Sequence, residues 1–417
     1  MSDRLSPAQQ PAPPARPARG GPGIGEFIVL TAALMAAGAV AIDSMLPALP
    51  SIGASFGVED DNRRQLIITF YLLGFGAGQL LYGPISDRFG RKPILVVSLF
   101  GYAVFSLLTG LAASFTLLLG ARLLQGVAAA GTRVLVVSMV RDRFDGPTMA
   151  RVMSLSFILF MIVPVLAPAF GEAVLAAANW RFIFFLLALY GLFLVAWLLL
   201  RLPETHPPEK RRALSLAKIR EAIATTLHQR VSIGNTLALT LVVGALFAFI
   251  NSIQQIVFDI FERPDLMAVI FASIAGPMAI TSYLNSRIVE RIGSRPIMLA
   301  ALYAFAAVSL LHLVLLLAIG EHLILFVVLQ ALAMASFGLA SANLNALAMQ
   351  PLGHIAGTAS SVQGTITTIG GALIGLAVGQ CFDGTTLPLV LAFAVCGVCG
   401  LLTAIWANSR NVATPLG

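Results

Sequence analysis

The sequence is poor in charge, in cysteine and in nucleotide-binding motifs. Only 11% of its 417 residues are charged, against about a quarter in an average soluble domain. Three cysteines in so long a chain cannot form a disulfide framework, and we expect no metal or redox site at the C-x-x-C of Cys396 and Cys399, because no histidine lies nearby. The chain has no G-x-x-x-x-G-K-[ST] loop, which argues against an ATP-driven pump.

Long apolar runs are what the sequence has in abundance, since 58% of its residues are hydrophobic. A helix that crosses a bilayer needs about 20 mostly apolar residues. We therefore predict an all-α integral membrane protein with twelve transmembrane helices in two six-helix pseudo-repeats. The predicted spans, numbered 1 to 12, are 27–47, 65–82, 93–113, 115–139, 149–176, 180–202, 231–257, 266–286, 296–318, 322–347, 356–379 and 387–407.

The longest polar stretch between spans divides them into two sets of six. The N-terminus is rich in Pro and Ala and has no apolar core, so it resembles a disordered tail rather than a cleavable signal peptide. The predicted organisation is a disordered cytoplasmic tail, an N-terminal six-helix bundle, a cytoplasmic central loop, a C-terminal six-helix bundle and a cytoplasmic tail, at residues 1–24, 25–202, 203–230, 231–410 and 411–417.

The positive residues predict the topology. Most of the 26 Lys and Arg residues lie in the N-terminal tail, the central loop and the loops on the same side as these. The positive-inside rule places that side, with both termini, in the cytoplasm, and we expect a multi-pass protein of the inner membrane. Because topology accounts for the net charge of +7, we expect no nucleic-acid partner.

The loops after spans 2 and 8 carry similar sequences. The first reads DRFGRKPIL from Asp87 and the second ERIGSRPIM from Glu290. Recurrence at the same place in each half indicates duplication, and two parallel six-helix halves around a midplane site are typical of secondary transporters. The second-half counterparts are Glu290, Arg291, Gly293 and Arg295.

Several motifs resemble those of a known family. GPISDRFGRKP resembles the loop 2–3 signature of the major facilitator superfamily. AIDSMLPALPSI at 41–52, RLLQG at 122–126, LPET at 202–205 and HIAGTASSVQG at 354–364 resemble its bicyclomycin/chloramphenicol-resistance (Bcr/CflA) drug-efflux branch. The resemblance implies a monomeric, proton-coupled antiporter in the bilayer. It would export small hydrophobic or amphipathic drugs by alternating access and need no cofactor beyond the proton gradient.

The loop 2–3 motif is the predicted inner gate. Its residues are Gly83, Asp87, Arg88, Gly90, Arg91 and Lys92. We expect Gly83 and Gly90 to permit tight turns. The resemblance implies that Asp87 faces the start of span 11 near Gly357, where free N–H groups favour a negative charge. The basic residues would pair with acids such as Asp142. The alternative is a solvated loop that only sets topology.

Ionisable residues inside a membrane span are functional candidates because they are costly to bury. We predict that Asp43 in span 1 binds the coupled proton; the alternative is a cap at the outer end of that span. Arg122 in span 4 lies at a similar depth and is predicted to serve the substrate or proton site, with Gln125 near the same face. Its alternative role is to hydrogen-bond neighbouring backbone. Arg133 either touches substrate or reaches towards the loop 2–3 motif.

Two further stretches carry site candidates. Near the outer end of span 7, three amides are predicted to bind substrate or to be solvated at the rim: Asn251, Gln254 and Gln255. Span 5 resembles an antiporter-associated motif, and its predicted bend residues are Pro164, Pro168 and Gly171. Glu172 stands where that motif has a second glycine, and it is either a rim residue or a second proton site.

Other functions stay open at this point. A transporter of a small metabolite would use the same fold, and fold alone does not choose between the two. An integral membrane enzyme is disfavoured because the five histidines are scattered. A channel is disfavoured because rings of like polar groups are missing from the spans.

Overall fold

The structure is a computed structural model that describes residues 21–211 and 216–409. Most of the predicted N-terminal tail and the predicted tail 411–417 lie outside the described residues. The α-helices within this part of the chain are α1 (Ile24–Asp43), α2 (Leu49–Ser55), α3 (Leu66–Phe89), α4 (Arg91–Gly110), α5 (Phe115–Arg143), α6 (Gly146–Ala177), α7 (Arg181–Arg201), α8 (Leu216–His228), α9 (Arg230–Gln255), α10 (Met267–Ile292), α11 (Ser294–Ile319), α12 (Leu323–Met349), α13 (Ala356–Gln380) and α14 (Leu387–Asn408).

Twelve stretches of the described chain are long and apolar enough to cross a membrane, which confirms the predicted fold class. Helices α1 and α2 share the first span, separated by a 3-10 turn at Leu46–Ala48 that has Pro47 near its start. Helices α3 to α7 form spans 2 to 6, and α9 to α14 form spans 7 to 12. Helix α8 lies inside the predicted central loop 203–230, which is therefore partly helical.

The turn after span 2 is shorter than predicted. Helix α3 continues to Phe89, so Asp87 belongs to the helix. The prediction of a turn at Gly83 is wrong, because this glycine is helical. A Cβ there would lie 3.3 Å from Ser361 Oγ of α13, so Gly83 provides room for a neighbouring helix. Gly90 alone makes the turn, with φ at +100°.

Glycines bring α3 and α5 into backbone contact. Gly74 faces the carbonyl of Leu123, and Gly126 faces the carbonyl of Tyr71, so closely that a Cβ at either glycine would collide with the opposite oxygen. Small residues at such positions let membrane helices approach until their backbones touch. The first half is therefore tightly packed where α3 meets α5, next to its buried polar residues.

The two halves meet where α3 packs on α13 and where α6 packs on α10. Two hydrogen bonds join α3 to α13 near the middle of the spans. Gln79 Nε2 donates to Thr368 Oγ1 at 2.9 Å, and Thr365 Oγ1 donates to the Gly76 carbonyl at 2.9 Å. We call the end of the bundle with the short turn the Gly90 end, and the opposite end the Asn62 end.

Amide side chains join the halves at the Asn62 end. Gln255 Nε2 donates to Asn62 Oδ1 at 2.9 Å, and Gln65 Nε2 donates to Gln255 Oε1. Gln380 Nε2 donates to the Asn62 carbonyl at 2.7 Å, and Asn62 Nδ2 donates to the Phe382 carbonyl at 2.9 Å. We call Asn62, Gln65, Gln255 and Gln380 the amide clasp. It holds the Asn62 end together in this conformation.

Candidate functional site

Asp43 is the last residue of α1, and only 5% of its surface is exposed. The chain turns after it, because Pro47 cannot donate a backbone hydrogen bond. The carboxylate makes no hydrogen bond or ion pair with the described residues. A buried carboxylate without a partner is costly, and within a membrane span it is a candidate functional group.

Arg122 is fully buried in α5 and is bound by three helices. Its Nε donates to the Ile67 carbonyl at 3.2 Å, its Nη2 to the Ala41 carbonyl at 3.1 Å, and its Nη1 to Gln125 Oε1 at 2.7 Å. The guanidinium also lies over the Tyr71 ring, 4.4 Å from its centre. The two hydrogen bonds to carbonyls are those of its predicted structural role, and they tie α1 and α3 to α5.

The hydrogen bonds continue from Gln125 into α4. Gln125 Nε2 donates to Ser106 Oγ at 2.6 Å, and Ser106 Oγ donates to the Tyr102 carbonyl at 2.7 Å. Tyr102 in turn donates from its hydroxyl to the Ala37 carbonyl of α1 at 3.1 Å. We call Arg122, Gln125 and Ser106 the Arg122 network. It links four helices of the first half through buried groups that are paired.

Arg122 binds α1 close to Asp43, because its acceptor Ala41 precedes Asp43 by only two positions. The ion pairs within the described residues do not include one between them. That they face each other across a cavity stays a prediction, as does a substrate contact of Arg122. In this conformation each guanidinium nitrogen already has a protein acceptor.

Of the three predicted amides of α9, two lack partners. Neither Nδ2 nor Oδ1 of Asn251 has a hydrogen bond in the described chain, and Gln254 Nε2 also lacks one. Each of the two residues is only 1% exposed. Gln255 is different, because both ends of its amide belong to the amide clasp. Asn251 and Gln254 therefore stay candidate substrate contacts, whereas Gln255 joins the halves in this conformation.

The structure adds two buried polar residues that the sequence analysis missed. Gln330 is the eighth residue of α12, as Arg122 is of α5. Ser309 lies as far beyond the second loop motif as Ser106 lies beyond the first. Gln330 Nε2 and Oε1 and Ser309 Oγ are buried without partners in the described chain. Both residues could have been identified from the sequence by extending the alignment of the two loop motifs through the spans that follow them.

The loop 2–3 motif is held by acids of α3, of α5 and of the start of the central loop. Arg91 pairs with Asp87 at 2.6 Å and with Asp142, the partner predicted for the motif, at 3.0 Å. Glu204, which was quoted only as part of LPET, accepts from the backbone N–H groups of Arg91 at 3.0 Å and Lys92 at 3.3 Å. A carboxylate beside the first turn of α4 interacts favourably with the positive end of the helix dipole.

Asp87 does not contact the start of α13 in this conformation. Arg141 of α5 is the near neighbour of Gly357 there, 3.9 Å from the position of a Cβ. Arg133 and Arg141 are both exposed, eight residues apart on α5, and so lie on one face. The latch between Asp87 and α13 stays a prediction for another state of the protein.

The second loop motif has fewer contacts. Gly293 repeats the positive φ of Gly90, at +87°. Arg295 Nη2 donates to the Asn408 carbonyl at 2.8 Å. Glu290 and Arg291 are exposed and take part in none of the ion pairs of the described residues. The second motif therefore shares the turn of the first but not its ring of acids.

Helix α6 is continuous through Pro164 and Pro168. Gly171 packs against the backbone of the first span. Glu172, one residue further on, accepts from the backbone N–H of Ala268 in α10 at 3.0 Å. This hydrogen bond crosses from the first half to the second.

Twelve spans in two similar halves, with a buried acid and unpartnered amides between their ends, define a helical membrane transporter. No group of three His, Cys, Asp or Glu residues in the described part could hold a metal. Residues 28–375 match the family model described as Major Facilitator Superfamily. The chain belongs to this family, and it is a transporter rather than an enzyme.

Relatives in this family have names that refer to drug resistance. The chain is 29% identical to the bicyclomycin resistance protein homolog of Haemophilus influenzae, over 89% of this chain and 93% of the relative. It is 30% identical to multidrug resistance protein MdtL of Salmonella heidelberg, over 83% and 86%. It is also 30% identical to an uncharacterized MFS-type transporter, YdgK of Bacillus subtilis, over 90% and 93%. The sequence resemblance to this branch is confirmed.

Solved structures confirm the fold. The crystal structure of the human organic anion transporter MFSD10 has a TM-score of 0.70 and 18% identity, covering 93% of this chain and all of that one. The xylose transporter XylE of E. coli, in a partially occluded inward open conformation, has a TM-score of 0.71 and 13% identity, covering 94% and 98%. At these identities the likeness concerns the fold alone.

Proposed function

We propose that the chain is a proton-coupled multidrug antiporter of the inner membrane. It exports small hydrophobic or amphipathic drugs by alternating access and uses the proton gradient without a cofactor. The Gly90 end and both termini face the cytoplasm, in agreement with the distribution of positive residues. The protein acts as a monomer.

The observation that carries this proposal is the buried, unpaired carboxylate of Asp43. Such a group is stabilised either by binding a proton or by an approaching cation, and one form excludes the other. Mutually exclusive binding is what couples the outward movement of a drug to the inward movement of a proton. The names of the drug-resistance relatives support the same substrate class.

The substrate would contact the amides of α9 that lack partners. Asn251 and Gln254 offer donors and acceptors deep in the bundle. Arg122, Gln125 and Gln255 are proposed to join the substrate site in a state in which their present hydrogen bonds have rearranged. The loop 2–3 motif is proposed to close the Gly90 end, with Asp87 leaving Arg91 to face α13.

Proton release from detergent-solubilised protein tests the proposal. A panel of antibiotics and dyes is added to weakly buffered wild type and to Asp43→Asn, and the pH change is recorded. We expect release with some compounds in wild type and none in the variant. Glu26→Gln is the matched control, because Glu26 lies on the same helix but is paired with Arg201 at 2.8 Å. This control should release protons as wild type does; release that persists in Asp43→Asn contradicts the proposal.

A metabolite transporter is the second candidate. The uncharged, unpartnered amides Asn251, Gln254 and Gln330 favour it, since they suit a neutral substrate rich in hydroxyl groups. Failure of every drug to release protons from folded wild-type protein would favour this function over drug export.

A further inference from the structure

Glu172 makes a charged contact between the halves at the Asn62 end. It lies in the last two turns of α6, and Ala268 is the second residue of α10. The first N–H groups of a helix have no partner within that helix, and no side chain of the N-cap residue Leu266 supplies one. The carboxylate of the first half therefore caps a helix of the second half, with the favourable sign of the helix dipole.

The residue before Glu172 contacts the first span beside Asp43. A Cβ at Gly171 would collide with the carbonyl oxygen of Ser44, so only glycine permits this approach of α6 to the end of α1. Gly171 and Glu172, which are consecutive in α6, thus contact two different parts of the molecule. One is the backbone next to the buried acid, and the other is the opposite half of the molecule.

We propose that Glu172 is a positioning residue of the transport cycle that keeps the Asn62 end closed. The proposal rests on alternating access as proposed above. The amide clasp closes the same end with neutral hydrogen bonds, which water can replace at little cost. A hydrogen bond from a backbone N–H to a carboxylate is roughly twice as strong as a neutral one. Glu172 is therefore the contact whose loss opens this end most.

Glu321 offers a matched control. It accepts from Thr386 N at 2.8 Å and from Thr386 Oγ1 at 2.7 Å, and so caps the start of α14 at the same end of the bundle. Both partners belong to the second half. Glu321 thus shares the chemistry of Glu172, an acid at a helix N-terminus, but it does not join the halves.

Distances between spin labels on the two halves test the proposal. Labels are attached at Ala113→Cys and Leu317→Cys, both exposed near the Asn62 end, after the native cysteines are replaced by serine. Pulsed dipolar spectroscopy then gives the distance distribution without substrate. We expect Glu172→Ala to raise the ratio of long to short distances by about tenfold. Glu172→Gln keeps an acceptor without the charge, and we expect an intermediate shift.

Glu321→Ala should leave the distribution as in wild type. An unchanged distribution in Glu172→Ala overturns the proposal, and so does an equal shift in Glu321→Ala. If Glu172→Ala does not fold, Glu172→Gln carries the test, and an unchanged distribution in that variant has the same meaning. The experiment uses no drug and no proton gradient, so its outcome is independent of the proton-release assay. Failure of drug–proton exchange and failure of the Glu172 proposal are therefore distinguishable.

Discussion

The two halves share a fold but differ in the pairing of buried polar groups at one set of corresponding places, in spans 3 and 4 and in spans 9 and 10. In the first half, Arg122, Gln125 and Ser106 pair with one another and with backbone carbonyls. At the corresponding places of the second half, Gln330 and Ser309 have no partner in the described chain. Buried polar groups are normally paired, and exceptions call for water or a ligand. We interpret the Arg122 network as a scaffold within the first half, in contrast to the unpaired Asp43, and the corresponding place in the second half as one that leaves its polar groups free.

The largest effect on stability is expected when Arg122, the centre of the Arg122 network, is removed. Arg122→Ala breaks three hydrogen bonds and removes a charged donor from the buried carbonyls of Ala41 and Ile67. We expect the free energy of unfolding to fall by about 3–5 kcal/mol, as for other disrupted buried networks. Denaturant unfolding in one detergent measures this free energy, and thermal loss of monodisperse protein on size exclusion gives the order of the unfolding temperatures.

Gln330→Ala is the control in the second half. This amide has no partner to leave behind, so its removal should cost about 1–2 kcal/mol for lost packing alone. Equal losses in the two variants would contradict this interpretation of the two corresponding places.

The two short turns give a smaller contrast. Gly90 and Gly293 have backbone angles that only glycine adopts readily, so an alanine at either costs about 1–3 kcal/mol. At Gly90 the new Cβ would also lie 2.5 Å from Glu204 Oε2, whereas at Gly293 its nearest neighbour is Pro296 at 3.8 Å. We expect Gly90→Ala to lower the unfolding temperature more than Gly293→Ala. Equal shifts would mean that the Glu204 contact contributes little, and the reverse order would contradict the expectation.

The smallest expected effect is a difference in the sign of the stability change between two Gln→Leu variants. Gln125→Leu leaves Arg122 Nη1 without its acceptor and removes the donor to Ser106 Oγ, and it should destabilise the protein by about 1–2 kcal/mol. Gln330→Leu removes a buried amide that has no hydrogen bond, and it should be neutral or stabilising by up to about 1 kcal/mol. Unfolding curves of the two variants against wild type, at one detergent concentration, decide the sign. Destabilisation by Gln330→Leu as large as that by Gln125→Leu would show that Gln330 is paired.

Local patterns predicted what depends on local sequence. The spans follow from apolar length, and the turn at Gly90 follows from a glycine between two apolar runs. The basic residues of the loop 2–3 motif were predicted to pair with acids such as Asp142, and Arg91 is the residue that does so. Gly83 was misplaced because a glycine in a helix that packs on α13 resembles a glycine in a turn when only its neighbours in sequence are known.

Contacts between distant elements were not predictable from single residues. Glu172 could be identified as an unusual acid, but its partner is a backbone N–H of α10, which carries no side-chain signature. Gln255 was assigned to substrate binding or to the solvated rim because nothing in span 7 indicates that Asn62 and Gln65 lie against it. Such assignments need the register of one half against the other, which depends on packing over the whole length of the bundle.

The contact of α3 with α13 runs from the amide clasp through Gln79 and Thr368 to Gly83. A rotation of one half against the other moves points near its axis least and remote points most. In the proposed alternating access one end of the bundle opens while the other closes, so the middle of this contact, at Gln79 and Thr368, moves least. Small residues on both helices, such as Gly76 and Gly364, allow the surfaces to roll without a bulky obstacle. The two ends of the contact, at the amide clasp and at Gly83, then separate in turn.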